Sequence, residues 1–129
     1  MSSVLLDTHA YLWFVYDDSR LSKKADKIIS NDNVKKYLSI ASLWEIAVKQ
    51  QIGKLELGMD FEKFLHDFVL TREIDILAID PSHLVAYASL PLLHRDPFDR
   101  LLIAQAQVED LPIITTDKRF LPYEVMVTW

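Results

Sequence analysis

"SSVLLDTHAYLWFVYDD", residues 2–18, decides the fold. Its first part, "SSVLL", is a short strand with no polar face, stopped at Asp7, and "THAYLWFVYDD" continues as a dense apolar segment of helical length. A strand without a polar face belongs in a sheet covered on both sides.

Outward from this unit, strand and helix patterns alternate. Ser22 caps a helix over 23–31, and "KKYLSI", 35–40, is a second buried strand. Leu43, Ile46, Ala47 and Ile52 recur at helical spacing within 41–57 until Gly53 weakens the pattern, and Phe61, Phe64, Leu65 and Phe68 repeat the rhythm over 60–73. "IDILAID", 74–80, is a strand ended by Pro81, the first position of a helix that runs through 82–90. Another helix opens at Pro97, with Phe98, Leu101, Leu102, Gln105 and Ala106 on one side; "LPIITTD", 111–117, and "EVMVTW", 124–129, are the last strands. The alternation points to an α/β fold: a mostly parallel sheet of four to five strands with helices on both faces. At 129 residues, half of them hydrophobic, one globular domain over 1–129 is expected.

Composition excludes several functions. No cysteine is available for disulfides or thiolate zinc sites, and with two glycines there is no phosphate-cradling glycine loop. The "VLL" run is far too short for a signal peptide, and no run approaches the length of a membrane span, so a soluble cytoplasmic protein is expected. A net charge of −5 argues against a general nucleic-acid coat protein, so any nucleic-acid chemistry must be local.

The acids stand at the ends of elements. Asp7 closes the first strand, Glu45 lies in the helix after the second, Asp96 and Asp99 open a helix, and Asp117 closes "IITT". Ligands of open α/β sheets bind outside the carboxyl ends of the strands, so these acids can meet in one cleft. Two like charges about 4 Å apart repel by roughly 4 kcal/mol at an effective dielectric of 20. Clustered carboxylates therefore take up protons or bind a cation. Oxygen ligands without cysteine suit Mg²⁺ or Mn²⁺, and an all-acid site of that kind implies a phosphate-bearing substrate and metal-assisted hydrolysis.

Each acid also has a bland reading. Asp96 before Pro97 is a helix cap, and Asp99, at the third helical position, favours the helix dipole. Glu45 with Lys49 is an i,i+4 surface pair, and Asp117 starts the turn "DKRF". Asp7 is harder to explain this way, because Thr8 could cap the next helix without a charge. His66 and His83 read as helix-surface residues, while His9 and His94 are left as supports for the acids. Trp13, Phe14, Trp44 and the Phe61/Phe64/Phe68 set read as core or subunit interface. Arg95, Arg100, Lys118 and Arg119 read mostly as solvated charges, yet they crowd the acids as a basic rim for a phosphate backbone would. "AYLWFVY" is too apolar to leave a free solvent face, so part of it is expected in a homodimer contact or a partner groove.

"LLDTHAYLW", "SLWEIAVK", "HRDPFDRLLIAQA" and "IITTDKRF", in this order and in a chain of this length, closely resemble the PIN-domain ribonucleases, specifically the VapC toxins of bacterial type II toxin–antitoxin pairs. The resemblance covers nearly the whole chain. It implies a Mg²⁺- or Mn²⁺-dependent endoribonuclease on a Rossmann-like sheet, usually a homodimer, silenced by a cognate antitoxin whose C-terminal segment lies across the acidic cleft. By position, Asp7, Glu45, Asp99 and Asp117 match the family's acids. Asp7 and Asp99 are the first metal ligands, with Glu45, Asp117 and Asp96 as further candidates, and Asp96 keeps its cap as the competing role. Thr115 or Thr116 matches a hydroxyl residue beside the last acid. Thr8, His9, Lys49, Arg95, Arg100 and Lys118 complete the candidates for contacting substrate or supporting the ligands. Two alternatives remain at this point: a small-molecule phosphatase with Asp7 as nucleophile, although His9 stands where such enzymes carry a second aspartate, and a non-catalytic interaction module.

Overall fold

A computed structural model describes all residues, 1–129. In chain order the elements are β1 (Ser3–Leu6), α1 (Thr8–Val15), α2 (Lys23–Ser30), β2 (Lys35–Ser39), α3 (Ile40–Gln51), α4 (Phe61–Leu65), β3 (Asp75–Leu77), α5 (Pro81–Ala88), α6 (Pro97–Glu109), β4 (Ile113–Ile114) and β5 (Val127–Thr128). The strands form one five-stranded sheet in the order β3-β2-β1-β4-β5. All four pairings are parallel. The fold class expected from the sequence is the one observed.

The opening stretch explains the layering. Val4, Leu5 and Leu6 have no exposed surface, because β1 is the central strand and both of its faces are covered. Val4 and Leu6 point to one core with Tyr11, Leu12, Leu43, Ile46 and Phe64. Leu5 points to the other, with Leu102, Ile103, Ala106, Ile113 and Phe120. The period-2 geometry is intact, but both faces are apolar, so the alternation vanishes from the sequence. From β1 the chain winds outward through β2 to β3, then returns to place β4 on the other side of β1. The switch point is therefore at the carboxyl ends of β1 and β4.

Caps set most boundaries. The Ser22 side chain accepts from the Ala25 N–H at 3.0 Å, and Asp80 accepts from Ser82 at the start of α5, with Pro81 first in that helix. The second strand is one residue shorter than expected: Ser39 accepts from the Ala41 N–H at 3.0 Å and turns Ile40 into the first helical residue. Helix α3 stops at Gln51, and Gly53 follows at φ +77°. The expected helix over 60–73 is a single α turn continued by a π-helical turn, His66–Leu70. The strand expected over 74–80 pairs only at Asp75–Leu77, on the sheet edge, and the last pairs only at Val127–Thr128.

Three side chains depart from their sequence readings. His83 is buried, not on the helix surface: its Nδ1 accepts from the Asp80 N–H at 2.9 Å, and its Nε2 faces Glu109 at 3.1 Å. Arg100 is buried too, donating to the Pro91 carbonyl at 2.8 Å and lying over the Tyr87 ring. Trp44 is 59% exposed, which removes the core reading for it, whereas Phe64 is fully buried. In α1 only the first half is buried, and Trp13, Phe14 and Val15 remain half-buried.

The two-sided core makes a quantitative demand. Leu102→Ala is expected to cost about 2–5 kcal/mol in urea unfolding, and Leu84→Ala on the exposed face of α5 less than about 0.5 kcal/mol. Equal costs for the two would contradict this layering.

Candidate active site

Asp7 directly follows β1 and is 6% exposed. Its backbone starts α1, yet its side chain makes no capping hydrogen bond. Instead the Thr115 hydroxyl, just past β4, donates to Asp7 Oδ2 at 2.8 Å, and the same hydroxyl oxygen accepts from the Asp117 N–H at 3.0 Å. Burial is the main cause that pushes the Asp7 carboxyl above its usual range; Thr115 and His9 pull it down, and the charges of Glu45 and Asp117 push it further up. The Thr8 hydroxyl is used elsewhere, donating to Ser42 at 2.8 Å and so joining the start of α1 to α3.

Glu45 is not the surface pair that its spacing to Lys49 suggested. Its side chain is 3% exposed, and Lys49 Nζ meets Oε2 at 2.6 Å. Oε1 is buried without any hydrogen-bond partner. A desolvated carboxylate oxygen in that condition is costly unless a cation or donor reaches it.

The two acids of "RDPFD" separate. Asp96 caps α6, its Oδ1 accepting from the Phe98 N–H at 2.9 Å and the Asp99 N–H at 3.3 Å. Asp99 is left free of that duty and is buried, 6% exposed. Burial first, then the charges of Asp96, Asp7 and Glu45, push its carboxyl up to about 8, against the opposing pull of Arg119. Asp117 behaves in the opposite way. It caps the short 3-10 turn Lys118–Phe120, and hydrogen bonds from Arg119 hold it below the usual carboxylate range. Arg119 Nη2 spans the two acids, 2.7 Å from Asp117 and 3.3 Å from Asp99.

Asp7, Glu45, Asp99 and Asp117 thus act on one another electrostatically at the switch point, with Asp96 beside them. No three of these side chains close tightly enough to enclose an ion on their own. The donor set nevertheless fits a hard divalent cation, which takes one or two carboxylates and keeps several waters. The orphaned Glu45 oxygen and the elevated Asp99 are both relieved by such a charge.

Of the other candidates, Thr115 is fully buried against Asp7, whereas Thr116, Lys118, Arg95 and His9 are exposed. Arg100 does not belong to the site; its partners are the Pro91 carbonyl and the Tyr123 hydroxyl. His94 is half-buried against Tyr123, and both its ring nitrogens lack partners. Sequence reasoning placed Arg119 only in a basic rim and missed its bridging of two acids, and it left out Ser42 altogether. The first had a signal, since "DKR" repeats the spacing of Asp18 and Arg20, whose side chains also pair at 2.7 Å. Ser42 had none beyond lying one helical turn before Glu45. A cavity of about 220 Å³, lined by Thr8, His9, Glu45, Lys49 and Lys54 among others, adjoins the acids. A larger one of about 950 Å³, lined by Met1 and Pro112 among others, lies at the opposite end of the sheet, where β1 and β4 begin.

With this geometry in hand, the chain can be compared with known proteins. The PIN domain model matches residues 4–124. The chain belongs to the PIN-domain family. A curated PIN-domain relative, ribonuclease VapC22 of Mycobacterium tuberculosis, is 28% identical over 122 residues, covering 92% of this chain and 90% of that protein. Among solved structures, VapBC2 from Rickettsia felis, bound to a DNA fragment from its promoter, superposes with a TM-score of 0.74 at 15% identity, covering 98% of this chain and 97% of the other. FitAcB from Neisseria gonorrhoeae gives a TM-score of 0.69 at 19% identity, covering 98% and 96%. These two superpositions establish the PIN-like fold that the sheet order displays.

The Asp99 carboxyl sets a pH dependence. It holds a proton in the folded protein up to about pH 8, while the unfolded chain releases it near 3.8. Across that window Asp99 binds more proton in the native than in the unfolded state, so its contribution to metal-free stability should fall as pH rises from about 4 to about 8. In chelator at pH 8, Asp99→Asn is expected to stabilise the protein by about 1–2 kcal/mol, raising Tm by roughly 4–8 °C. Identical melting of the two proteins at pH 8 would refute the elevated carboxyl.

Proposed function

We propose that this PIN-domain protein is a metal-dependent endoribonuclease that acts as the toxin of a toxin–antitoxin pair. The observation that carries the reading is the convergence of four sequence-distant carboxylates at the sheet's switch point, with Asp7 and Asp99 buried and driven toward protonation, and with a Glu45 oxygen lacking any partner. The ribonuclease name of the Mycobacterium tuberculosis relative supports the activity, and the assemblies of the structural neighbours support the partner class.

Asp7 and Asp99 would hold the cation, Mg²⁺ or Mn²⁺, with Glu45, Asp117 and Asp96 completing its surroundings. Such a cation supplies an activated water and charge stabilisation at the phosphodiester. The chain's own residues do the rest. Thr115 fixes Asp7 Oδ2, so that the carboxylate keeps one orientation. Lys49 fixes Glu45 Oε2 and directs the unpartnered Oε1 toward a water or the cation. Arg119 braces Asp117 against Asp99, and at 56% exposed its guanidinium would be free to meet a substrate phosphate as well.

Purified protein should cleave RNA internally with Mg²⁺ or Mn²⁺ and stop in chelator. Asp7→Asn should lose at least about 100-fold in rate, equivalent to roughly 2.7 kcal/mol. Undiminished cleavage by that variant, or cleavage indifferent to chelator, would overturn the reading. The reading includes a cognate antitoxin, for which the half-buried Trp13, Phe14 and Val15 of α1 and the exposed Tyr16 supply apolar contact. It also includes a homodimer, for which light scattering at micromolar concentration should give twice the 15.0 kDa chain mass; a monomeric mass would remove that part.

A further inference from the structure

The 220 Å³ cavity beside the acids differs from them in character. Glu45 is its one acidic lining residue, and His9, Lys49 and Lys54 face it together with Thr8. A second hollow also gathers three basic residues, Lys35, Lys36 and Arg72, but sets them against Asp32, Glu73 and Asp75, whereas here a single acid faces them. Leu12, Ile46 and Leu55 supply the apolar part of the lining, which lowers the local dielectric and strengthens any charge contact made there.

The turn after α3 builds this arrangement. Gly53, at φ +77°, carries the chain out of the helix, and the N–H groups of Lys54 and Leu55 both donate to the Lys49 carbonyl, at 2.8 and 3.2 Å. Lys54 is thereby held next to Lys49. The two lysines differ in commitment: Lys49 is tied to Glu45 at 2.6 Å, whereas Lys54 takes part in none of the ion pairs of the molecule. On the far wall, His9 lies 6.0 Å from the Trp13 ring, and the Arg20 guanidinium sits over that ring at 4.8 Å. The hollow is smaller than the roughly 300–1,000 Å³ of sites that enclose a whole ligand. It suits one unit of a polymer.

We propose that this cavity is a subsite for a phosphate and its ribose adjacent to the scissile bond of the RNA substrate, with Lys54 as the residue that neutralises that phosphate. This rests on the ribonuclease reading and adds a binding step to it. An RNA strand cut at the carboxylates has a second phosphate one nucleotide away, and this hollow is the basic concavity that borders Glu45. Lys54 binds substrate and takes no part in the chemistry, so its loss should appear in KM and not in kcat.

The test uses a labelled single-stranded RNA oligonucleotide. On an Asp7→Asn background, which holds the strand intact, Lys54→Ala should weaken binding about 5- to 10-fold and reduce the slope of log K against log salt by about 0.7, the contribution of one single-strand phosphate. Lys54→Arg should restore both. With Asp7 intact, Lys54→Ala should raise KM for the oligonucleotide at constant kcat, and should cut a dinucleoside monophosphate, whose only phosphate is the scissile one, as fast as the unmodified protein does. Unchanged affinity and salt slope, or equal losses on long and short substrates, would overturn the subsite while leaving the ribonuclease reading in place. So would a Lys54 effect confined to binding of a partner protein. Failure of the unmodified protein to bind or cut any RNA would remove both.

Discussion

The structure depends on placing a carboxylate at the end of its most buried strand. Val4, Leu5 and Leu6 are sealed by helices on both sides, and the next residue, Asp7, has 6% of its surface exposed. Burial disfavours the charged form of such a group, and its one hydrogen-bond donor from another side chain is the neutral hydroxyl of Thr115, 108 residues away in sequence. The parallel register of Leu6 with Ile114 makes that contact possible, because each strand then ends at the same height and the following residues meet. Sheet and site are therefore one construction. A slip of β4 by one residue would turn Ile114 to the other face and take Thr115 from Asp7.

Around this point the acids are assigned different tasks by their hydrogen bonds. Asp96 spends its side chain on two backbone N–H groups of α6, and Asp117 spends its own on the 3-10 turn and Arg119. Asp99 is the third residue of the helix, still in its first turn but past the capping position, so the helix that Asp96 starts carries Asp99 into the cluster. Cap and buried acid are thus consecutive in chain and cause: the cap fixes the helix, and the helix aims the acid.

Much of this could be read from the chain. The apolar strand before Asp7, the Ser22 and Asp96 caps and the helices from Pro81 and Pro97 have local signals, so they were legible, as was the sheet class that follows from their alternation. What escaped depends on contacts between distant segments. His83 looks like a polar residue on an exposed helix until α6 brings Glu109 and Gln105 against it. Arg100 sits two residues from Phe98 in a charged stretch, yet its guanidinium is satisfied by a proline carbonyl and tyrosines from other parts of the chain. The π turn after α4 and the short edge strand β3 are places where tertiary packing overrides a helical or strand pattern. At the site itself, the residue types and their element ends were visible, but the choice of Thr115 over Thr116 needed the strand register, and the bridging role of Arg119 needed the fold of its turn.

The distribution of cations among these acids leads to a last point. Glu45 has Lys49 at 2.6 Å, and Asp117 has Arg119 at 2.7 Å. Asp99 has only the outer reach of that same guanidinium at 3.3 Å, and Asp7 has no cation within ion-pair distance. Lysine and arginine therefore pair with Glu45, the most buried of the four at 2% exposed, and with the more open Asp117, while Asp7 and Asp99, each 6% exposed, are pushed toward the protonated form. Caps and surface charges alone would not need this arrangement: three of the four carboxylates lie in the interior, and two of those have no cation closer than 3.3 Å to offset the desolvation penalty. Asp7 and Asp99 are relieved either by a proton or by a bound cation, and only the second leaves both carboxylates ionised. The fold sets that acidic centre beside a basic margin formed by Lys49, Lys54 and Arg119.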